Sequence, residues 1–545
     1  MKGKTDMKMK KFAALAAATI MTVSAVAATS AFSVFATEPA ENSIVIKDSV
    51  DGREYVAYQI FDRTSAVDSI NWGDGIDGAS LLADDLTNES SQYYNAKFAG
   101  VTDAAGVAKV MTSDGWTASD SQLFAKALEK HVIPAQANRS YYDQGEGEYK
   151  ISIYEAGYYV VIDNKTYDGD DEARSAFILK VVSGKTDVTT KAGKPILTKE
   201  IKHNEYGDNG WGVVGDNQIG DDVEFRITTT IPSEVQYYDT YTYTIHDTLS
   251  EGFDLNEDSL KYVYLDKNNA VVTVDTFTPV FDNNANEKKF DVKFDIKDLL
   301  AKYPSIAKIE TYYTAKLNGN AKVAVKATNS TDNNPNTAYL TYSNNPQDNQ
   351  GGENGRTPDS MVYDWTFTLV GNKIDGQTKA KLAGAQFQLK DAAGNVLKLV
   401  ATDKKNEYRI ATDSDTTTID TITTDEDGIF YIKGIDDSVK YTLVEAKAPD
   451  EYNKASDTSF NLYTKGEYDE GTGYSKDGGT LQKLQIAKGD HSDKDAVLGL
   501  TIENNKGGKL PSTGGIGTQI FYGVGGAIVV GAGVLLITKK RAKKD

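Results

Sequence analysis

Residues 441–452 read YTLVEAKAPDEY, and the alternation at their start decides the fold class. Side chains two apart share one face of a strand, so Tyr441, Leu443 and Glu445 point the same way. The same count puts Trp365, Phe367, Leu369, Gly371 and Lys373 on one face, and Leu498, Leu500, Ile502 and Asn504 on another. Three strands therefore carry a carboxyl, an amine and a carboxamide toward an apolar interior, where each alone is costly. Asn505, one residue on, faces the opposite way.

Outward from this segment the chain reads mostly as short alternating strands between Asn-, Asp- and Gly-rich turns, for example Tyr237 to His246, Lys261 to Leu265, Ala321 to Ala327 and Ala338 to Tyr342. Two short helices are expected, one capped by Ser119 and Asp120 and one over Ile296 to Lys302. The polar stretches 183–194 and 344–359 read as linkers. The expectation is an all-β protein of tandem immunoglobulin-like β-sandwiches forming an elongated rod, with units at 41–192, 195–346 and 361–506.

The two ends carry their own signals. Residues 1–36 have Lys2, Lys4, Lys8, Lys10 and Lys11 ahead of an apolar stretch that closes on Val34-Phe35-Ala36. A basic segment, an apolar segment and small residues before the cut make a secretory signal peptide, cleaved after Ala36 or, as the second choice, Ala31. At the other end Leu510-Pro511-Ser512-Thr513-Gly514 precedes an uncharged run over 516–538, then Lys539, Lys540, Arg541, Lys543 and Lys544. That run is long enough to span a bilayer, and its basic tail belongs on the cytoplasmic side.

Composition narrows the function. The 545 residues hold 59 Lys plus Arg against 79 Asp plus Glu, a net charge of -20, and no Cys. Disulfides, a thiol nucleophile and a Cys-ligated zinc are excluded. The four histidines, His131, His203, His246 and His491, fit no metal spacing, and the Asp68 to Gly78 stretch fits no EF-hand, so neither a metal nor a cofactor is expected. Removing the two ends, each net +4, leaves residues 37–513 at -28. Such a surface repels nucleic acid. No GxSxG or HExxH is present to support a hydrolase.

The quoted motifs resemble known families. LPSTG, an apolar span and a basic tail, in that order, resemble the sorting signal of Gram-positive surface proteins. The resemblance implies that a sortase cuts between Thr513 and Gly514 and passes the Thr513 carbonyl to an amine. YTLVEAKAPDEY resembles the E-box of collagen-adhesin B-type (CnaB) domains, departing at Ala446 and Glu451, where Thr and Gly are usual. Leu382 to Leu389 and Asp425 to Gly428 resemble other parts of that domain. In such domains a Lys and an Asn form an isopeptide bond assisted by the E-box Glu; the matching positions are Lys373, Asn504 and Glu445. The periodicity above supports the same three. Burial lowers a Lys pKa and raises a Glu pKa, so a neutral amine can attack the carboxamide while a protonated acid polarises its oxygen.

Pro195 to Lys199, Tyr243 to Leu249 and Leu340 to Pro346 resemble the middle domain of fimbrial shaft proteins, where an Asp takes the acid's role. The reading pairs Lys199 with Asn344 and Asp247, because Leu340, Tyr342 and Asn344 share a face; Asn336 is the competing acceptor. Residues 42–62 and 155–164 resemble the N-terminal domain of backbone pilins. Its end should hold the intersubunit lysine, Lys191 or alternatively Lys194, although the Tyr, Pro and Asn of the usual motif are missing from DVTTKAGKP (187–195). Lys47 has no evident acceptor, and no cross-link is expected in this unit.

Taken together, the chain resembles the backbone (major shaft) pilins of sortase-assembled Gram-positive pili, of the SpaA/FimA type. That implies a secreted, cell-wall-anchored structural protein and not an enzyme. The implied partners are a pilin-polymerising sortase, a housekeeping sortase, other copies of itself and peptidoglycan, with minor pilins and a host surface as further possibilities. A monomeric wall-anchored adhesin is the alternative.

Overall fold

The computed structural model describes residues 42–47, 52–62, 70–165, 172–202, 210–283, 287–324, 331–348, 354–437, 439–464, 484–487, 491–492 and 499–507. The chain is all-β, in tandem units with minor helices. The signal segment, the sorting motif and the 516–538 run lie outside the described residues. Among the described residues no helix is long and apolar enough to cross a membrane.

The first unit is one seven-stranded sheet, ordered Ile178–Val182, Gly157–Asp163, Tyr55–Phe61, Asn138–Asp143, Glu148–Ile153, Asn42–Lys47, Lys185–Thr189. Strand Tyr55–Phe61 is buried along its whole length because both faces are covered. Val56, Tyr58 and Ile60 meet Val107, Phe124 and Leu128 of the helices Ala104–Met111 and Ala118–Glu129. Tyr55 and Ala57 meet Ile44, Ile46, Tyr149 and Val188, strands of the same sheet curled over. Helix Ala118–Glu129 begins with a capping box between Thr117 and Asp120, two residues ahead of the expected Ser119.

The stretch 183–194, expected as a linker, contains Lys185–Thr189, which runs parallel to Asn42–Lys47 and sets Val188 beside Ile46. Burial of Val188 pins this otherwise polar edge strand.

The middle unit is a sandwich of two sheets. One contains Val214–Asp216, Ser360–Trp365, Asn334–Ser343, Tyr243–Ser250, Glu287–Lys293 and Val280–Asn283. The other contains Val271–Asp275, Lys261–Asp266, Ile306–Leu317, Asp222–Thr230, Leu197–Lys202 and Trp211–Gly212. Alternate residues of Asp222–Thr230, Tyr243–Ser250 and Ile306–Leu317 are buried, as a two-sided sandwich strand requires.

The 344–359 stretch, expected as an exposed linker, is partly interior. Gln347 is buried because its amide donates to the carbonyls of Asp163 (3.3 Å) and Ser175 (3.1 Å) and accepts from Arg174 (3.0 Å), all in the first unit. Strands Asn354–Arg356 and Ser360–Trp365 then return to the middle sheet, which therefore extends past the expected end at 346.

Only Thr366 separates Trp365 from the next strand, Phe367–Asp375, and one apolar core is continuous through the middle and third units. The third unit packs a six-stranded sheet (Leu399–Ala401, Glu407–Ile410, Ile429–Ile435, Phe367–Asp375, Gly499–Asn504, His491–Ser492) on a five-stranded one (Ile422–Thr423, Gln386–Lys390, Lys440–Lys447, Thr458–Thr464, Leu484–Ala487). Phe367–Asp375 and Gly499–Asn504 run parallel, Lys373 opposite Ile502 and Asp375 opposite Asn504.

Candidate functional site

In the third unit Lys373, Glu445 and Asn504 come together with at most 1% of any of them exposed. The Asn504 amide nitrogen donates to both Glu445 oxygens, at 2.9 and 3.1 Å. The Ala455 N–H also donates to Glu445 Oε2, at 2.5 Å. Lys373 Nζ lies across the parallel pair from its own strand, 3.0 Å from the Ile502 carbonyl oxygen. Burial pushes its amine down to about 8, against the pull of the Glu445 carboxylate. The Asn504 side-chain oxygen, Oδ1, accepts no hydrogen bond among the described residues. A readily deprotonated amine, an acceptor amide and an acid holding the amide nitrogen are what an amine-for-ammonia exchange needs.

The middle unit builds a second centre from four strands. Lys199, Asp247 and Asn336 are each at most 1% exposed. Lys199 Nζ makes a short contact with Asp247 Oδ2 and lies 2.6 Å from the Tyr313 hydroxyl. That hydroxyl donates to Asp247 at 3.0 Å and accepts from the Asn336 amide nitrogen at 2.8 Å. Burial lowers the Lys199 pKa and raises that of Asp247. Phe225 and the Tyr313 ring flank the amine at 5.5 and 5.1 Å.

The structure brings Asn336, and not Asn344, to this centre, which corrects the expected pairing. Even-numbered residues of Asn334–Ser343 all face inward, so sharing a face with Leu340 and Tyr342 cannot choose between the two. Position along the strand does: Asn336 lies opposite Leu249, beside Asp247. Asn344 is eight residues further, roughly 27 Å along an extended chain, where its carbonyl accepts the Arg174 N–H at the first unit. Tyr313 was missed, although the run Ile309, Thr311, Tyr313, Ala315, Leu317 marks it as inward-facing. A buried phenol needs a polar partner.

The two candidate intersubunit lysines differ. The half-buried Lys191 lies over the Tyr237 ring, 4.8 Å from its centroid. Burial brings its amine down to about 8, with the Glu234 carboxylate opposing. The backbone around it is fixed by Ser175 Oγ, which accepts the Lys191 N–H at 3.0 Å, and by the Ala176 N–H, which donates to the Lys191 carbonyl. Lys194 is half-buried 3.8 Å from Glu172. Lys47 points outward to Glu148 at 2.9 Å.

One grouping was not anticipated: the buried Asp216, Asp436 and Asp437 bring ligand oxygens within 4.8 Å of one another. They come from distant parts of the chain, so no spacing marks them.

The SpaA prealbumin-like fold domain family matches residues 367–473, and the LPXTG cell wall anchor motif matches residues 502–545. The trypsin-resistant surface T6 protein of Streptococcus pyogenes serotype M6 is 26% identical over 431 residues, 66% of this chain and 71% of that protein. The domain match, the anchor motif and this similarity fit a sortase-assembled backbone pilin.

Solved structures similar to this chain include the T6 backbone pilin of serotype M6 Streptococcus pyogenes, at 17% identity over 86% of this chain and 98% of that one, TM-score 0.49. The major pilin SpaD of Corynebacterium diphtheriae is 15% identical over 86% and 98%, TM-score 0.43. The group B streptococcus pilus 2b backbone protein is 25% identical over 58% and 99%, TM-score 0.37. The anchor motif marks the chain as a cell-wall-anchored surface protein, and the proteins it is similar to are structural pilins, not enzymes.

Proposed function

We propose that this pilin forms a covalent shaft in which Thr513 of one subunit is joined to Lys191 of the next. A pilin-class sortase holds Thr513 as an acyl intermediate, Gly514 having left. The unprotonated Lys191 amine attacks the acyl carbon, and a new amide forms. A housekeeping sortase makes the last transfer to peptidoglycan. Within each subunit Lys373 is bonded to Asn504 with Glu445 as acid, and Lys199 to Asn336 with Asp247 as acid, each bond releasing one ammonia.

The observation that carries the polymerisation reading is the desolvated Lys191 amine against Tyr237, brought toward the range where it is nucleophilic near neutral pH. Lys191→Arg, Lys194→Arg and the double variant, expressed beside the polymerising sortase, test it by electrophoresis of wall extracts. Lys191→Arg should abolish the high-mass ladder, while Lys194→Arg should retain it. A ladder surviving in the double variant would falsify the intersubunit link.

A further inference from the structure

We propose that the Tyr313 hydroxyl is the proton carrier of the middle-unit cross-link, taking a proton from the attacking Lys199 nitrogen while giving one to the departing Asn336 nitrogen. The proposal rests on the Lys199–Asn336 reading and adds the group that makes the exchange possible.

The phenol oxygen is 2.6 Å from Lys199 Nζ, 2.8 Å from Asn336 Nδ2 and 3.0 Å from Asp247 Oδ2. A hydroxyl has one proton to donate and two lone pairs to accept with. Here the proton goes to Asp247 and the lone pairs face the two nitrogens that exchange places on one carbon. In the reaction the Nζ–Cγ bond forms and the Cγ–Nδ2 bond breaks. The attacking nitrogen becomes acidic as it bonds, and the leaving nitrogen gains a lone pair. One proton passes from the first to the second through the phenol, whose O–H is restored, and ammonia departs. Phenol and carboxyl both end as they began.

Asp247 is thereby left for the carbonyl. Its Oδ1 and the Asn336 Oδ1 are both buried and take no hydrogen bond, as befits an acid proton and the oxygen it will polarise. The third unit supplies the contrast. There Glu445 bonds the leaving nitrogen directly through both oxygens. Asp is one methylene shorter, and the Tyr313 oxygen fills the gap between its carboxyl and the amide nitrogen. The ring is held independently of its hydroxyl, stacked on Phe225 at 5.2 Å and edge-on to Phe290 at 5.1 Å.

The test is Tyr313→Phe in the full mature chain, made in a cell-free system and sampled over time. Digestion and mass spectrometry follow the ammonia lost from each unit separately. The third-unit bond, in the same molecule, is the internal clock. The middle bond should form about a hundredfold more slowly, the lower end of general acid–base catalysis, with the clock unchanged. A native rate overturns the proposal. Asn336→Ala fails differently: a middle bond that still forms there removes the acceptor reading itself, whatever Tyr313 does. If Tyr313→Phe fails to fold by circular dichroism, a ring-fluorinated tyrosine at 313 keeps ring and hydroxyl but makes the phenol more acidic. The pH profile of bond formation must then shift, and an unshifted profile overturns the relay.

Discussion

Tension applied to one subunit between residue 191 and residue 507 locates the middle cross-link by length. With Lys199 joined to Asn336, the chain between them is bypassed, but residues 337–361 remain in the load path. Asn336 lies opposite Val362 in the native sheet, with the two Cα atoms about 5 Å apart. Force on that pair peels Ser360–Trp365 from its neighbours, Asn334–Ser343 and Val214–Asp216. About 25 residues are then released, and at about 3.4 Å per residue the subunit lengthens by roughly 85 Å.

A link at Asn344 would expose only about 17 residues whose ends already stand roughly 27 Å apart, and the step would be roughly 35 Å. Without any link the middle unit would open by several hundred ångströms. Lys373 and Asn504 bypass the third unit, so that unit should contribute no step. Single-molecule force spectroscopy with handles at the two residues reads these lengths directly. A middle-unit step near 35 Å, or one of several hundred, refutes the Lys199–Asn336 assignment.

The other predictions are chemical. Asn336→Ala removes a link closing 137 residues, from 199 to 336, worth about 5 kcal/mol by the chain-entropy argument. Calorimetry should show the middle transition lowered by about 10–20 °C, whereas Asn344→Ala should still lose the ammonia of the middle-unit bond. Glu445→Gln takes away the only side chain among the described residues bonded to the Asn504 nitrogen, so the third unit of the purified variant should keep the ammonia that the bond would release; loss of that ammonia shows that the bond needs no acid. Glu451 sits at φ 73, where the E-box usually has Gly. Glu451→Gly should therefore raise stability by about 0.5–1 kcal/mol in a denaturant titration, and any loss of stability contradicts the strain. Lys191 attacks unprotonated with its amine at about 8, so transfer should rise about tenfold per pH unit below that value and level off above it. Tyr237→Ala, by rehydrating the amine, should move the inflection upward, and an unmoved profile assigns the shift elsewhere.

How much of this was legible in the sequence depended on whether period two was enough. Lys373, Glu445 and Asn504 lie in strands with apolar residues at alternate positions, and periodicity alone turned all three inward. The Lys199 centre needed position along a strand as well as parity. Asn336 and Asn344 have the same parity, and only the pairing of Asn334–Ser343 with Tyr243–Ser250 separates them. Tyr237 to His246 reads as one strand, yet Ser233–Tyr237 is a 3-10 helix and the strand begins at Tyr243. The helix follows Pro232, and it places Tyr237 against Lys191. Polar stretches misled in the other direction. Gln347 reads as solvated, but its amide is buried because the first unit offers two carbonyls and a guanidinium to satisfy it.

The placement of the reacting groups also orders the chemistry after folding. Lys199, Asp247, Tyr313 and Asn336 come from four strands spread over the middle unit, and none is adjacent in sequence to another. The low Lys199 pKa and the high Asp247 pKa both come from burial, and that burial exists only once both sheets have closed. In the unfolded chain Lys199 is a protonated ammonium and Asp247 a carboxylate, and neither can react with an amide. The same holds for Lys373, whose acceptor lies on the strand that completes the third-unit sheet. An irreversible bond with these requirements can form only between natively paired strands. A misregistered strand would turn its reactive side chain to the opposite face, so the chemistry fixes the correct fold and leaves an incorrect one unlinked.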